Sequence, residues 1–192
     1  MPGPLVVVID MQDVFRDAES SWATPSFQDA ASGIDRLLDA FGDRVAFTRF
    51  VPPPVHEGSW GPYYDTFSDV LRPDRDWFDL SEPYRSRAAA MGLEPVARPT
   101  FSAWGQRLRE RAGDPATVIL CGVATDCCVI STALDAADDG AFVRIAADAC
   151  GGSSPASHDA ALTVMRGYGP QIEISTVQRE LGAPLGGSAA PA

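Results

Sequence analysis

Two apolar spacings take turns along this chain. Pro4 to Asp10 and Thr117 to Leu120 are near-continuous apolar runs without alternation, the pattern of parallel strands covered on both faces. Residues 26–41 instead place Ile34, Leu37, Leu38 and Phe41 at helical spacing. A second strand is predicted at 44–50, RVAFTRF. Pro52-Pro53-Pro54 then forbids helix and opens a long loop through Trp60, Tyr63 and Tyr64. A helix at 82–91, a short strand at 94–97 and a helix at 102–112 closed by Gly113 follow. The last elements are a strand at 141–147, a helix at 155–166 opened by Pro155, and a strand at 171–175. Strand and helix alternate throughout, which predicts an α/β chain: a parallel sheet with helices on both faces and right-handed crossovers. No internal repeat is visible. The expected domain is 1–181. GAPLGGSAAPA, beginning at Gly182, holds too few large apolar residues to pack and is read as a flexible tail, 182–192.

The most informative stretch is 116–135, ATVILCGVATDCCVISTALD. A strand stops at Cys121-Gly122, a short turn follows, and a helix opens at Cys128 with Val129, Ala133, Ala136 and Ala137 on its inner face. Thr125 or Asp126 is expected to cap that helix. A thiol at a helix start sits in a positive field that lowers its pKa and favours the nucleophilic thiolate. From the residues alone, Cys128 is either such a nucleophile or a small buried hydrophobe. Asp10, at the end of the first strand, is either a cap or a carboxylate placed where open α/β sheets bind ligands. Trp60, Tyr63 and Tyr64 either wall a pocket or pack their loop onto the body.

Composition narrows the classes. A chain of 192 residues is long enough to bury a full core. The net charge of −11 excludes a phosphate-backbone partner, so nucleic acid is not expected. No leader and no membrane-spanning run is visible, so the expectation is a soluble, cytoplasmic protein without a membrane partner. The four cysteines, with Cys127 and Cys128 vicinal, are expected to be free thiols in a reducing compartment. All fifteen basic residues are arginine.

Three ordered motifs carry a resemblance: VVVIDMQDVF at 6–15, RPTFSAW at 98–104 and GVATDCCVISTALDAADDG at 122–140. Together they resemble the isochorismatase-like cysteine hydrolases, which include nicotinamidases, N-carbamoyl-amide hydrolases and isochorismatases. The resemblance spans most of Leu5 to Thr176. It implies a three-layer Rossmann-like fold whose six parallel strands run in order 3-2-1-4-5-6. It also implies catalysis by Asp10, Arg98 and Cys128, with Cys127 structural and Gln12 a supporting polar group. Its oxyanion hole falls on the backbone N–H groups of Ala124 and Cys128, after a cis Val123–Ala124 peptide. Phe15, Trp60, Tyr64 and Trp104 are the expected substrate pocket.

Two departures stand out. The family carries lysine where this chain has Arg98, which keeps the positive charge but cannot release a proton. Where nicotinamidases carry an Asp-x-His metal group, this chain has Phe50, Val51 and Pro52. His56 alone makes no metal site and His158 is read as structural, so no metal and no other cofactor is expected. The resulting expectation is a metal-independent hydrolase that cleaves a non-peptide C–N bond of a small-molecule amide, carbamoyl compound or lactam through a Cys128 thioester. The resemblance further implies a homo-oligomer, dimer or tetramer. Vinyl-ether hydrolysis of the isochorismatase type, or a catalytically impaired binding protein, are the alternatives.

Overall fold

The computed structural model describes residues 3–72 and 74–182. Six strands form one sheet in order β3-β2-β1-β4-β5-β6, all parallel where they pair. They are β1 (Leu5–Ile9), β2 (Val45–Phe50), β3 (Val96–Arg98), β4 (Thr117–Val123), β5 (Phe142–Gly151) and β6 (Ile172–Ser175). Every residue of β1 is fully buried, as an uninterrupted apolar run in the middle of a parallel sheet requires. The strand order reverses between β1 and β4, and ligands bind at such a switch point, beyond the carboxyl ends of the strands.

The helices are α1 (Asp13–Arg16), α2 (Phe27–Phe41), α3 (Trp60–Thr66), α4 (Tyr84–Ala90), α5 (Gln106–Ala112), α6 (Ile130–Asp138), α7 (Pro155–Arg166) and α8 (Val177–Gly182). The α2 face Ile34, Leu37, Leu38 and Phe41 is buried, and so are Val129, Ala133, Ala136 and Ala137 behind Cys128. At β4, Gly122 has a φ of 115°, and a Cβ there would lie 2.1 Å from the Ile9 carbonyl oxygen. Glycine at 122 therefore allows β4 to close against β1.

Several expectations change. The loop after Pro54 ends in helix α3, because Gly58 takes a positive φ of 58° and lets the chain turn into a helix at Trp60. Helix α5 begins at Gln106 rather than Ser102, after an extended Gly105 with φ 163°. The nucleophile segment does not enter α6 directly. A wide helical turn, Thr125–Val129, comes first. Neither Thr125 nor Asp126 caps it; the Thr125 hydroxyl pairs with His158 and the Asp126 carboxylate accepts from Ser153. Helix α8 was not anticipated from the sequence. Of the expected tail at 182–192, Gly182 is the last residue of α8, and 183–192 lie outside the described residues. No helix among the described residues is long and apolar enough to cross a membrane.

Candidate active site

Asp10 follows β1 with a φ of 47°, a left-handed conformation that aspartate tolerates better than branched residues do. It is only 2% exposed. Thr48 of β2 grips it at both ends: the threonine hydroxyl donates to Asp10 Oδ1 at 2.6 Å, and the Asp10 N–H donates to Thr48 Oγ1 at 3.2 Å. Burial pushes the carboxyl up to about 6, while hydrogen bonds from Thr48 and the Cys128 thiol hold it back. Thr48 was not singled out in the sequence. Its signal was a hydroxyl in the middle of an otherwise apolar strand core.

Gln12 turns away from the reacting groups. Its Nε2 donates to the Phe50 carbonyl at 2.9 Å and the Phe78 carbonyl at 2.5 Å, and its Oε1 accepts from the Phe50 N–H at 2.8 Å. It ties the end of β2 to the segment before α4.

Cys128 is 2% exposed, in the turn between β4 and α6. Its carbonyl accepts from the Thr132 hydroxyl at 2.7 Å, and that hydroxyl accepts from the Ala103 N–H at 3.0 Å. Hydrogen bonding with Cys127, burial and the Asp10 carboxylate push the Cys128 thiol well above its ordinary value. This corrects the expected thiolate. The field of a helix start is outweighed by the hydrogen bond with Cys127, by desolvation and by the neighbouring carboxylate, which all favour the neutral thiol.

The Val123–Ala124 peptide is cis. The Ala124 carbonyl accepts from the N–H groups of Cys127 at 3.0 Å and Val129 at 3.1 Å, passing over Cys128 between them. Among the described residues, the Ala124 N–H makes no backbone hydrogen bond.

Among the described residues Arg98 makes no hydrogen bond to either member of this pair. It ends β3, two strands from β1, which is roughly 10 Å at ordinary strand spacing. Its guanidinium lies against Gly105, where a Cβ would sit 3.4 Å from Nη1. Among the described residues it forms no ion pair, and its buried Nε has no partner. The missing Cβ of Gly105 leaves the flat guanidinium a surface to lie on.

An aromatic cluster covers the same sheet edge. Phe50 meets Trp22 at 5.4 Å, Trp60 at 6.0 Å and Phe101 at 6.1 Å between ring centroids, and Phe15 stacks on Trp22 at 5.8 Å. Tyr64 is buried with no partner for its hydroxyl, and its ring lies 4.2 Å from that of His56. Tyr63 packs on Phe101 at 5.6 Å. Burial first, then the charges of Cys127 and Cys128, push its phenol up. Phe15, Trp60 and Tyr64 therefore share one cluster. Trp104 does not join it: its Nε1 donates to Asp139 at 2.9 Å, at the far end of α6, because an indole N–H buried there finds a carboxylate. Trp22 and Phe101 take places in the cluster that the sequence did not assign. Among the described residues no group of three or more His, Cys, Asp or Glu is placed to hold a metal.

Comparison with known proteins bears on the family and the fold. The family model of the isochorismatase domain matches residues 4–178. Isochorismatase domain-containing protein 2 of Bos taurus is 35% identical over 88 residues, which is 45% of this chain and 43% of that protein. The matched segment is thus less than half the length of that relative. A cysteine hydrolase from Pseudomonas syringae pv. phaseolicola superposes with a TM-score of 0.74 at 21% identity, covering 93% of this chain and 90% of the other. A nicotinamidase from Bacillus subtilis superposes with a TM-score of 0.70 at 19% identity, covering 89% and 99%. At such identities the two superpositions establish the shared fold.

Proposed function

The chain belongs to the isochorismatase family, and on that premise we propose that it is a cysteine amidohydrolase acting on a small-molecule amide, carbamoyl compound or lactam. The observation that carries the reading is that Asp10 and Cys128 are both buried just beyond the ends of the paired strands β1 and β4, each perturbing the other's titration. A buried carboxylate at about 6 is ionised near neutral pH yet basic enough to take a proton. Cys128 attacks the carbonyl carbon as its proton passes to Asp10. The new oxyanion is held by the Ala124 and Cys128 N–H groups. Collapse breaks the C–N bond, and Asp10 returns the proton to the departing amine or ammonia. Water then attacks the thioester with Asp10 as base, the C–S bond breaks, and the carboxylic or carbamic acid leaves with the thiol restored. No step passes through Arg98.

A second reading rests on the same Asp10. A carboxyl raised to about 6 is also a competent acid below neutral pH, which vinyl-ether hydrolysis needs without any thiol. Turnover of a panel of small amides, carbamoyl compounds, lactams and vinyl ethers by wild type and Cys128→Ala separates the two. The amidohydrolase reading predicts amine release that disappears in Cys128→Ala. Vinyl-ether turnover that persists in Cys128→Ala would replace it, and no turnover of any class would leave a binding protein on this fold.

A further inference from the structure

We infer that His158 is a positioning residue for the nucleophile turn, acting through a hydrogen bond to Thr125. Asp10 lies on the β1 side of the turn, held by Thr48; the opposite flank is held from β5 and α7. Thr125 is fully buried, one residue after Ala124 and three before Cys128. Its hydroxyl is 2.8 Å from His158 Nδ1, its one side-chain partner among the described residues. The next residue is anchored to the same neighbourhood: Asp126 accepts from the Ser153 N–H at 2.8 Å and the Ser153 hydroxyl at 2.6 Å. Two consecutive residues of the turn are thus clamped by the start of α7 and the loop before it.

That clamp is itself built rigidly. Ser154 caps α7 by accepting from the Ser157 N–H at 3.0 Å, Pro155 fills the first helical position, and the His158 N–H donates to the Ser154 carbonyl at 2.9 Å. Gly152 makes the approach feasible, since a Cβ there would lie 2.8 Å from the His158 Cβ. At the strand level, Gly122 and Val123 pair with Cys150 and Gly151, so the same loop continues directly from the partner strand of the turn. The side chain touches neither Cys128 nor Asp10 in any recorded hydrogen bond. Its effect is on orientation: with the Thr125 hydroxyl unpaired, the peptides carrying the Ala124 and Cys128 amides lose one of the contacts that aim them. A misplacement of reacting groups by about 1 Å costs up to roughly 100-fold in rate.

This inference rests on the amidohydrolase reading for its kinetic readout but not for its physical one. Two rates test it: turnover of whichever small amide the wild type hydrolyses, and alkylation of Cys128 by iodoacetamide, assigned by fragment mass. His158→Ala is expected to lower kcat roughly 10- to 100-fold with KM changed less than about threefold, and to slow Cys128 alkylation. His158→Asn, whose side-chain amide reaches the place of Nδ1, should restore most of both rates. Thermal unfolding of each variant separates aim from stability. Unchanged rates in His158→Ala overturn the inference, as does a loss that His158→Asn does not restore and that follows the melting temperature. If the wild type hydrolyses no amide, the amidohydrolase reading fails and the alkylation rates decide this inference alone.

Discussion

The floor and the cover of the site are held by different physics. On the floor, Asp10, Thr48, Ala124, Thr125 and Cys128 are fixed by strand register and by hydrogen bonds between 2.6 and 3.2 Å among buried groups. On the cover, Trp22, Trp60, Tyr63 and Phe101 meet through ring packing, on a seven-residue helix without a side-chain cap and on loops. Directional bonds specify one geometry, and ring packing tolerates rearrangement. The floor should therefore fix the reaction, and the cover should choose the substrate.

The largest effect should come from the floor's own charge. Asp10→Asn keeps the shape and removes the base, so kcat should fall roughly 10²- to 10⁴-fold. The same variant should be more stable than wild type at neutral pH. The folded carboxyl is raised from 3.8 to about 6, so the native state binds more protons between those values. Stability is then fully present below pH 3.8 and is lost as pH rises through about 6, by about 3 kcal/mol for a shift of about 2 units. Thermal melts of wild type and Asp10→Asn between pH 4 and 8 check the sign. A gap that opens toward high pH agrees, and one that opens toward low pH contradicts it.

Thr48→Val should come next. Its hydroxyl donates to the ionised carboxylate, so its loss raises the Asp10 pKa above about 6. The acid limb of the pH–rate profile should move up by roughly one to two units, the worth of a hydrogen bond to a charge. An unmoved limb would detach that limb from Asp10. The smallest effect belongs to the cover. Phe101→Ala removes rings packed against Phe50, Trp60 and Tyr63 and should raise KM roughly tenfold with kcat little changed. A kcat loss as large as that of Asp10→Asn would erase the distinction between floor and cover.

The same division governs what the sequence reveals. Strand runs and the place of Cys128 after a glycine turn were legible, because parallel strands and helix starts leave periodic and positional marks; the strand order came from the family resemblance. Thr48 and His158 left a hydroxyl and an imidazole with no spacing to tie them to Asp10 or Thr125, 38 and 33 residues away. Those pairings exist only once the sheet brings strand ends together. Arg98 shows the reverse. Its position in the RPTFSAW motif was clear, but the direction of its guanidinium depends on the bare backbone of Gly105, a contact that no motif encodes. Nor does the motif show that the Trp104 indole N–H reaches Asp139. The α3 helix was hidden by the triple proline before it, whose turn signal outweighed a short helical run.

The central claim is that Cys128 becomes acylated with Asp10 as its base. Intact-protein mass after rapid acid quench of wild type, Asp10→Asn and Cys128→Ala with a hydrolysed amide tests it most directly. The account predicts a mass increase equal to the acyl group in wild type, mapped to Cys128, much slower to form in Asp10→Asn and absent in Cys128→Ala. Turnover with no acyl adduct at any quench time, or an adduct on Cys127 that survives in Cys128→Ala, would contradict it.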